Sequence, residues 1–250
     1  MYRSADLLYF SPTGNTRKAG LAIASEIAER INEIDLGKCA EVSLTGDAVI
    51  VAAPVFSGRI PALVSEKLSS LDGRGKTAVT AVVYGVRAYE DALLEPNDVM
   101  EAAGFNIAAS AALVAQHSIV REVGYGRPDE ADIEEIKSFA ADALMRIESG
   151  ECRAVTVPGN RPYREGGKSD TTPIALPDCR GCGHCASVCP TKAIQILDGA
   201  PVTDGEKCIM CMACVAKCPA RSRVLPTSVL NRLTERLSVF RDVRRENEFF

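Results

Sequence analysis

Two stretches of this chain carry recognisable chemistry. Residues 179–190 read CRGCGHCASVCP and residues 208–219 read CIMCMACVAKCP. Each has the form C-x2-C-x2-C-x3-C-P, and the second repeats the first 29 positions later. Cysteines three apart on a tight loop converge three thiolates on one centre. The fourth lies on the helical turn that follows and points the other way, and the proline fixes the chain where it leaves the site. Such a run suits iron–sulfur ligation. Zinc is the main rival, but zinc ribbons use paired C-x2-C knuckles without a trailing Cys-Pro. Disulfides are the other rival. Disulfide scaffolds are short secreted chains, whereas eight of the ten cysteines here crowd into 40 residues at metal-site spacing. Cys39 and Cys152 lie apart and are expected to be unpaired thiols.

From about residue 172 to 225 the chain resembles the bacterial-type two-cluster ferredoxin. The resemblance implies two [4Fe–4S] cubes with crossed ligation. Cys179, Cys182, Cys185 and Cys218 are assigned to the first, and Cys208, Cys211, Cys214 and Cys189 to the second. Small residues such as Gly181, Gly183, Ala186, Ala213 and Ala216 leave room for the cubes. His184, inside the first run, is expected to be exposed rather than a ligand. One departure follows Cys218-Pro219, where ARSR replaces the TKAI that follows Cys189-Pro190. Arg221 and Arg223 there either shift that cluster's potential, face a partner or sit in a solvated loop.

The preceding 150 residues alternate between two periodicities. Apolar runs at 5–10, 47–53, 76–84 and 105–115 read as strands, with INEIDLG at 31–37 chosen as the second in chain order. Residues 15–30 place Ala19, Ile23, Ile27 and Ile31 on one helical face. Residues 61–71, 89–103 and 128–148 read as further helices, the last opened by Pro128 and closed by Gly150. The strand runs are continuously apolar, as burial on both faces requires. The expected fold is α/β, a doubly wound five-stranded parallel sheet, followed by a small α+β domain and a C-terminal helix.

The loop SPTGNT joins the first strand to the first helix. It is neither a Walker A loop nor G-x-G-x-x-G. Its hydroxyls and the helix N-terminus suit a phosphate held without a cation. With it in view, YFSPTGNTRK resembles the FMN-phosphate loop of the flavodoxin family. APVFSGRIP at 53–61 and VYGVRAYED at 83–91 resemble that family's two flavin loops. The resemblance spans residues 3–148. It implies that Ser11, Thr13, Gly14, Asn15 and Thr16 hold the phosphate. Pro54, Val55, Phe56, Ser57 and Gly58 would line one side of the ring, with Gly58 supplying backbone freedom near N5. Tyr84, Gly85, Arg87 and Tyr89 would form the other side, Tyr89 stacking on it. Phe56 departs from the family's more frequent Trp or Tyr. Arg59 and Arg87 are expected near the ring edge or the junction with the cysteine domain. Gln116, His117 and Ser118 end the last strand on the same side, with His117 a candidate proton donor.

Composition bounds the rest. Residues 1–150 hold 14 Lys and Arg against 22 Asp and Glu, which argues against a nucleic-acid surface there. The longest uncharged apolar run, NIAASAALVA, is too short to span a bilayer, and the N-terminus lacks signal-peptide features. The protein is expected to be soluble and cytoplasmic. The expected domains are 1–150, a linker at 151–171 rich in proline, glycine and charge, the cluster domain at 172–226, and a tail helix at 227–250. Leu230, Leu233, Leu237, Phe240 and Val243 share one face of that helix, which is expected to pack on its own protein, with Thr227 or Ser228 as cap. The whole resembles the flavodoxin–ferredoxin fusion proteins of anaerobic bacteria and archaea. The resemblance implies an electron carrier with FMN and two [4Fe–4S] clusters, served by a redox partner protein. The alternative is a flavin-dependent reductase of a small acceptor, with a pocket bounded by Phe56, Arg87, Tyr89 and His117. A cluster-based redox sensor or assembly scaffold is a third, less favoured reading. The linker length is also compatible with a homodimer that brings one chain's clusters to the other's flavin.

Overall fold

A computed structural model describes residues 1–150, 154–167 and 171–250. Cys152 lies outside the described residues. The first domain runs β1 (Tyr2–Tyr9), α1 (Asn15–Ile27), β2 (Ala28–Asp35), β3 (Ala48–Pro54), α2 (Ala62–Ser69), β4 (Thr77–Tyr84), α3 (Leu94–Ala102), β5 (Asn106–Val114) and α4 (Glu130–Ser149). Its five parallel strands lie in the order β5-β4-β3-β1-β2. Read from the other edge this is 2-1-3-4-5, the flavodoxin-like order, with its switch point between β1 and β3. Both sheet faces are covered. Leu7, Ile50 and Ala81 pack with Ile23 and Ile27 of α1 and Phe139 of α4. Leu8, Val51 and Val82 pack on the other side with Val64 and Leu68 of α2 and Met100 of α3.

Three elements differ from expectation for identifiable reasons. α1 ends at Ile27, and the next residue already starts β2, three residues ahead of INEIDLG. Pairing of Ala28 to Asp35 along β1 outweighs the local helical spacing that included Ile31. α3 begins only at Leu94, and the left-handed φ of 51° at Glu90 keeps the chain up to that residue out of the helix. The third difference is the tail, which is helical only over α7 (Thr227–Leu237) and a 3-10 turn at Ser238–Phe240. Its N-cap is Pro226, and no side chain caps it. Leu233, Leu237 and Phe240 pack onto the α2/α3 face, as expected of a self-packed helix, while Leu230 and Val243 stay partly exposed.

The chain then crosses to the sheet edge. Its last strand, Glu248–Phe249, pairs antiparallel with β5 as a sixth strand. Phe249 stacks on Phe139 with centroids 4.8 Å apart. The segment read as a linker is also held down along 154–167. Val155 and Val157 join the α2/α3 core. Asp91 accepts from the amides of Asn160 (2.8 Å) and Arg164 (2.7 Å), and Tyr163 Oη donates to Asp98 at 2.5 Å.

The cysteine domain has β6 (Ile174–Ala175), α5 (His184–Ser187), β7 (Ile194–Leu197), β8 (Ala200–Thr203), α6 (Ala213–Ala216) and β9 (Arg223–Val224). Two short antiparallel ribbons, β6 with β9 and β7 with β8, flank its one-turn helices. No helix among the described residues is long and apolar enough to cross a membrane.

Candidate functional site

Beyond the carboxyl end of β1 the chain turns at Gly14, whose φ of 106° favours glycine, and enters α1. Ser11 Oγ accepts from the Arg17 amide at 2.9 Å and so caps the helix rather than lining a cleft. The amides of Gly14, Asn15 and Thr16 have no acceptor among the described residues, as expected at an open helix start. Thr13, Asn15 and Thr16 line a groove with Pro54, Val55 and Phe56 at the end of β3 and Tyr84 and Gly85 at the end of β4. Gln116, His117 and Ser118, following β5, complete the wall. This groove is where an open α/β sheet binds its ligand. A Cβ on Gly85 would stand 2.7 Å from His117 Cδ2, so glycine is what lets the imidazole close over β4.

Other residues expected here are placed differently. Ser57 (φ 53°) belongs to a tight turn beside the groove, closed by paired bonds between Phe56 and Arg59. Gly58 (φ 84°) presents no side-chain bulk where Glu90 Oε2 presses against it, and its carbonyl accepts from the Asp91 amide at 3.1 Å. Tyr89 does not face the groove. The turn at Glu90 directs it into the core, edge-on to Tyr84 at 5.3 Å, with its hydroxyl donating to Glu248 at 2.8 Å. Burial first, and then that carboxylate, raise its pKa. Arg87 is off the groove wall as well, paired with Glu90 at 2.8 Å. Arg59 is bound in two places to buried Glu95 (2.7 and 2.8 Å) and lies over the Tyr163 ring. Cys39 is half-buried, its sulfur 3.5 Å from Lys67 Nζ.

His117 is held in one tautomer. Its Nδ1 accepts from the amides of Ile119 (3.2 Å) and Val120 (3.0 Å), so the neutral ring carries its proton on Nε2. Burial lowers its pKa from 6.5 to about 4. Unfolded, the ring takes up a proton as pH drops below 6.5; folded, it resists until about 4. Its contribution to stability is therefore complete above 6.5 and is lost as pH falls toward 4. Urea midpoints of the whole protein at about pH 7 and about pH 5 are expected to fall less for His117→Asn than for the unaltered chain. An equal fall in both proteins would show that the ring is not held neutral.

The eight cysteines of the two runs form no disulfides. Cys189, Cys208, Cys211 and Cys214 line a single pocket with Ile194, Met210 and Met212. This brings the fourth cysteine of the first run to the three of the second. Burial pushes the Cys211 thiol up to about 12 and raises Cys208, Cys214 and Cys185 as well. Thiols so placed need a cationic centre to become thiolates, which iron supplies. The donor set, its burial and its convergence therefore fit a cube. In the first set Cys182 is exposed, as is His184, while Cys185 is buried.

The two runs share a backbone but not a surface. Gly181 and Gly183 are left-handed (φ 62° and 76°), and so are their counterparts Met210 and Met212 (φ 53° and 64°). A left-handed methionine costs about 1–2 kcal/mol. Packing offsets it: Met212 is buried, Met210 lines the cysteine pocket, and Ile209 joins the α2/α3 core of the first domain. Cys211 consequently lines both the cysteine pocket and the groove at the switch point. Its place on the groove wall was missed in the sequence, although Ile209, Met210 and Met212, against Arg180, Gly181 and Gly183, were a readable sign that the second run faces protein. A larger cavity of about 860 Å³ adjoins the groove at Phe56 and His117 and is bounded by Ile60, Cys208, Leu233 and Leu237.

Residues 173–219 match the family model of the 4Fe-4S dicluster domain, so this part of the chain binds two [4Fe–4S] clusters. An uncharacterized ferredoxin of Methanocaldococcus jannaschii is 35% identical over 74 residues, 30% of this chain and 48% of that one. One component of the Na(+)-translocating ferredoxin:NAD(+) oxidoreductase complex of Acetobacterium woodii is 52% identical over 42 residues, 16% of this chain and 13% of that one. The chain thus spans less than half the length of these two relatives. Among solved structures, a flavodoxin from the domain Archaea gives a TM-score of 0.42 at 15% identity, covering 58% of this chain and 99% of that one. Oxidised Flavodoxin 1 from Bacillus cereus gives 0.45 at 20%, covering 57% and 97%. The flavodoxin-like assignment rests on the strand order. An iron–sulfur domain joined to such a fold supports electron transfer.

Proposed function

We propose that this chain carries electrons between its two [4Fe–4S] clusters and an FMN bound in the groove at the switch point, and exchanges them with a redox partner protein. One observation carries the route: Cys211 lines at once the groove and the pocket it shares with Cys189, Cys208 and Cys214. FMN, when bound, supplies exchange of electrons singly or in pairs, which a cube cannot do alone. The open amides of Gly14, Asn15 and Thr16 and the hydroxyls of Thr13 and Thr16 suit its phosphate. Phe56 offers an apolar wall, and His117 a permanent Nε2–H donor. The first cluster, with Cys182 exposed, is the face for one-electron exchange with a partner. The relatives, a ferredoxin and a component of a ferredoxin-linked complex, support that class of partner. All these groups belong to one chain, so the route requires no second copy.

Anaerobic purification followed by analysis of FMN, iron and acid-labile sulfide tests this reading. About one FMN and about eight irons per chain are expected, both reduced when reduced ferredoxin is added in excess. Full clusters in a protein that takes up no FMN on reconstitution would defeat it. Gly85→Ala, which forces His117 out of place, is expected to introduce about 1–3 kcal/mol of overpacking. It should therefore weaken FMN binding about tenfold or more, read by flavin fluorescence titration of the apo-flavin protein.

The adjoining cavity favours a second reading, reduction of a small acceptor beside the flavin. Leu233→Trp would narrow that cavity. Loss of acceptor turnover with cluster and flavin content intact would favour the enzyme reading over the carrier.

A further inference from the structure

The first run is followed by Ile194, buried at the start of β7. The position 29 residues later, at the start of β9, is Arg223. The structure keeps it inside: Arg223 is 2% exposed, whereas Arg221, two residues earlier, is exposed at a left-handed turn. One guanidinium nitrogen donates to Pro173 O and Thr203 Oγ1, both at 2.8 Å. Both acceptors are neutral. No carboxylate pairs with Arg223 among the described residues, and its Nε is buried without a partner. A guanidinium does not shed its proton, and a buried charge requires a counter-charge. Both of these acceptors, Pro173 and Thr203, line the pocket that Cys189, Cys208, Cys211 and Cys214 share.

We infer that Arg223 is a fixed internal cation placed beside the second ligand set, which takes that cluster's negative charge as its counter-ion and makes it easier to reduce. The inference rests on the two-cluster reading. Each added electron makes a cube more negative. A cation held in low dielectric a short way from the ligating sulfurs favours that electron. Arginine, standing where the first repeat has isoleucine, is thus a redox-setting feature, and it acts through the ligands rather than by ligation.

The test is an EPR-monitored redox titration of the whole protein, purified without oxygen, with iron counted in each sample. Arg223→Met is expected to shift at least one of the two one-electron steps about tenfold toward the oxidised form, which is 59 mV for a one-electron couple. Arg221→Met, which removes an exposed charge near the same run, is expected to shift neither step by as much as threefold. Arg223→Lys keeps the charge and should stay within threefold of the unaltered protein. Fully loaded Arg223→Met with unmoved potentials overturns the inference, as does an Arg221→Met shift of equal size. If Arg223→Met fails to hold iron, Arg223→Lys decides: retention of the potential supports the charge, and a tenfold loss overturns it. An unaltered protein with far fewer than about eight irons would overturn the two-cluster reading itself, and the inference with it.

Discussion

Cys211→Ser is expected to disconnect the flavin from the clusters. Serine leaves the second cube with three thiolates, so iron should fall from about eight to about four per chain if that cube is lost. The groove keeps Thr13, Asn15, Thr16, Phe56 and His117, and FMN should still bind. The consequence is specific. A one-electron protein donor should no longer reduce the flavin at its original rate, while a chemical reductant acting directly on the flavin should still do so. Stopped-flow absorbance at the flavin band, without oxygen, separates the two. Cys182→Ser provides the comparison, because Cys182 is exposed and is proposed as a ligand of the first cube. It should impair entry from the partner and leave the inner cube in place. Flavin reduction by the donor at an unchanged rate in Cys211→Ser would mean that electrons reach FMN by another path.

The second large effect concerns the tail. Asn247 is nearly buried and bridges three parts of the fold. Its side-chain amide donates to Asp132 (3.1 Å) and Glu135 (2.8 Å) of α4, and its oxygen accepts from the Val114 amide of β5 at 2.9 Å. Asp132 also holds Arg127, with side chains 1% and 4% exposed. Asn247→Ala leaves the Val114 amide without its acceptor and two carboxylates short of a donor. A loss of about 2–4 kcal/mol is expected, measured by urea unfolding followed by circular dichroism. Asn247→Asp should be worse near neutral pH, because a third carboxylate would face Asp132 and Glu135. It should recover as acid neutralises the added group. Equal stability for the two variants would remove the electrostatic part of this account. The same strand carries Glu248, which receives the Tyr89 hydroxyl, and Phe249, stacked on Phe139.

Much of this was legible locally. Ligand spacing is a short-range property: three cysteines at C-x2-C-x2-C meet on one loop whatever surrounds them, and the two runs announced two cubes. The order of alternating apolar and helical runs announced a doubly wound sheet, and SPTGNT announced a tight turn into an open helix start, because a strand, a hydroxyl-rich turn and a helix start are adjacent in sequence. The rest depends on contacts far apart in the chain. Tyr89 was expected over the ring and lies under the tail, since only the folded chain brings Glu248 to its hydroxyl. The tail reads as one amphipathic helix, yet its last residues form a strand, because the open edge of β5 offers backbone bonds that local periodicity cannot register. Arg223 was left between a solvated loop and a role at the cluster, and only burial without a carboxylate partner singles it out. Above all, the order of residues was enough to specify a two-cluster domain and a flavodoxin-like sheet. Their junction at Cys211 was settled by packing, as Ile209 and Cys211 pack on the α2/α3 core of the first domain and carry the second ligand loop to the end of the sheet.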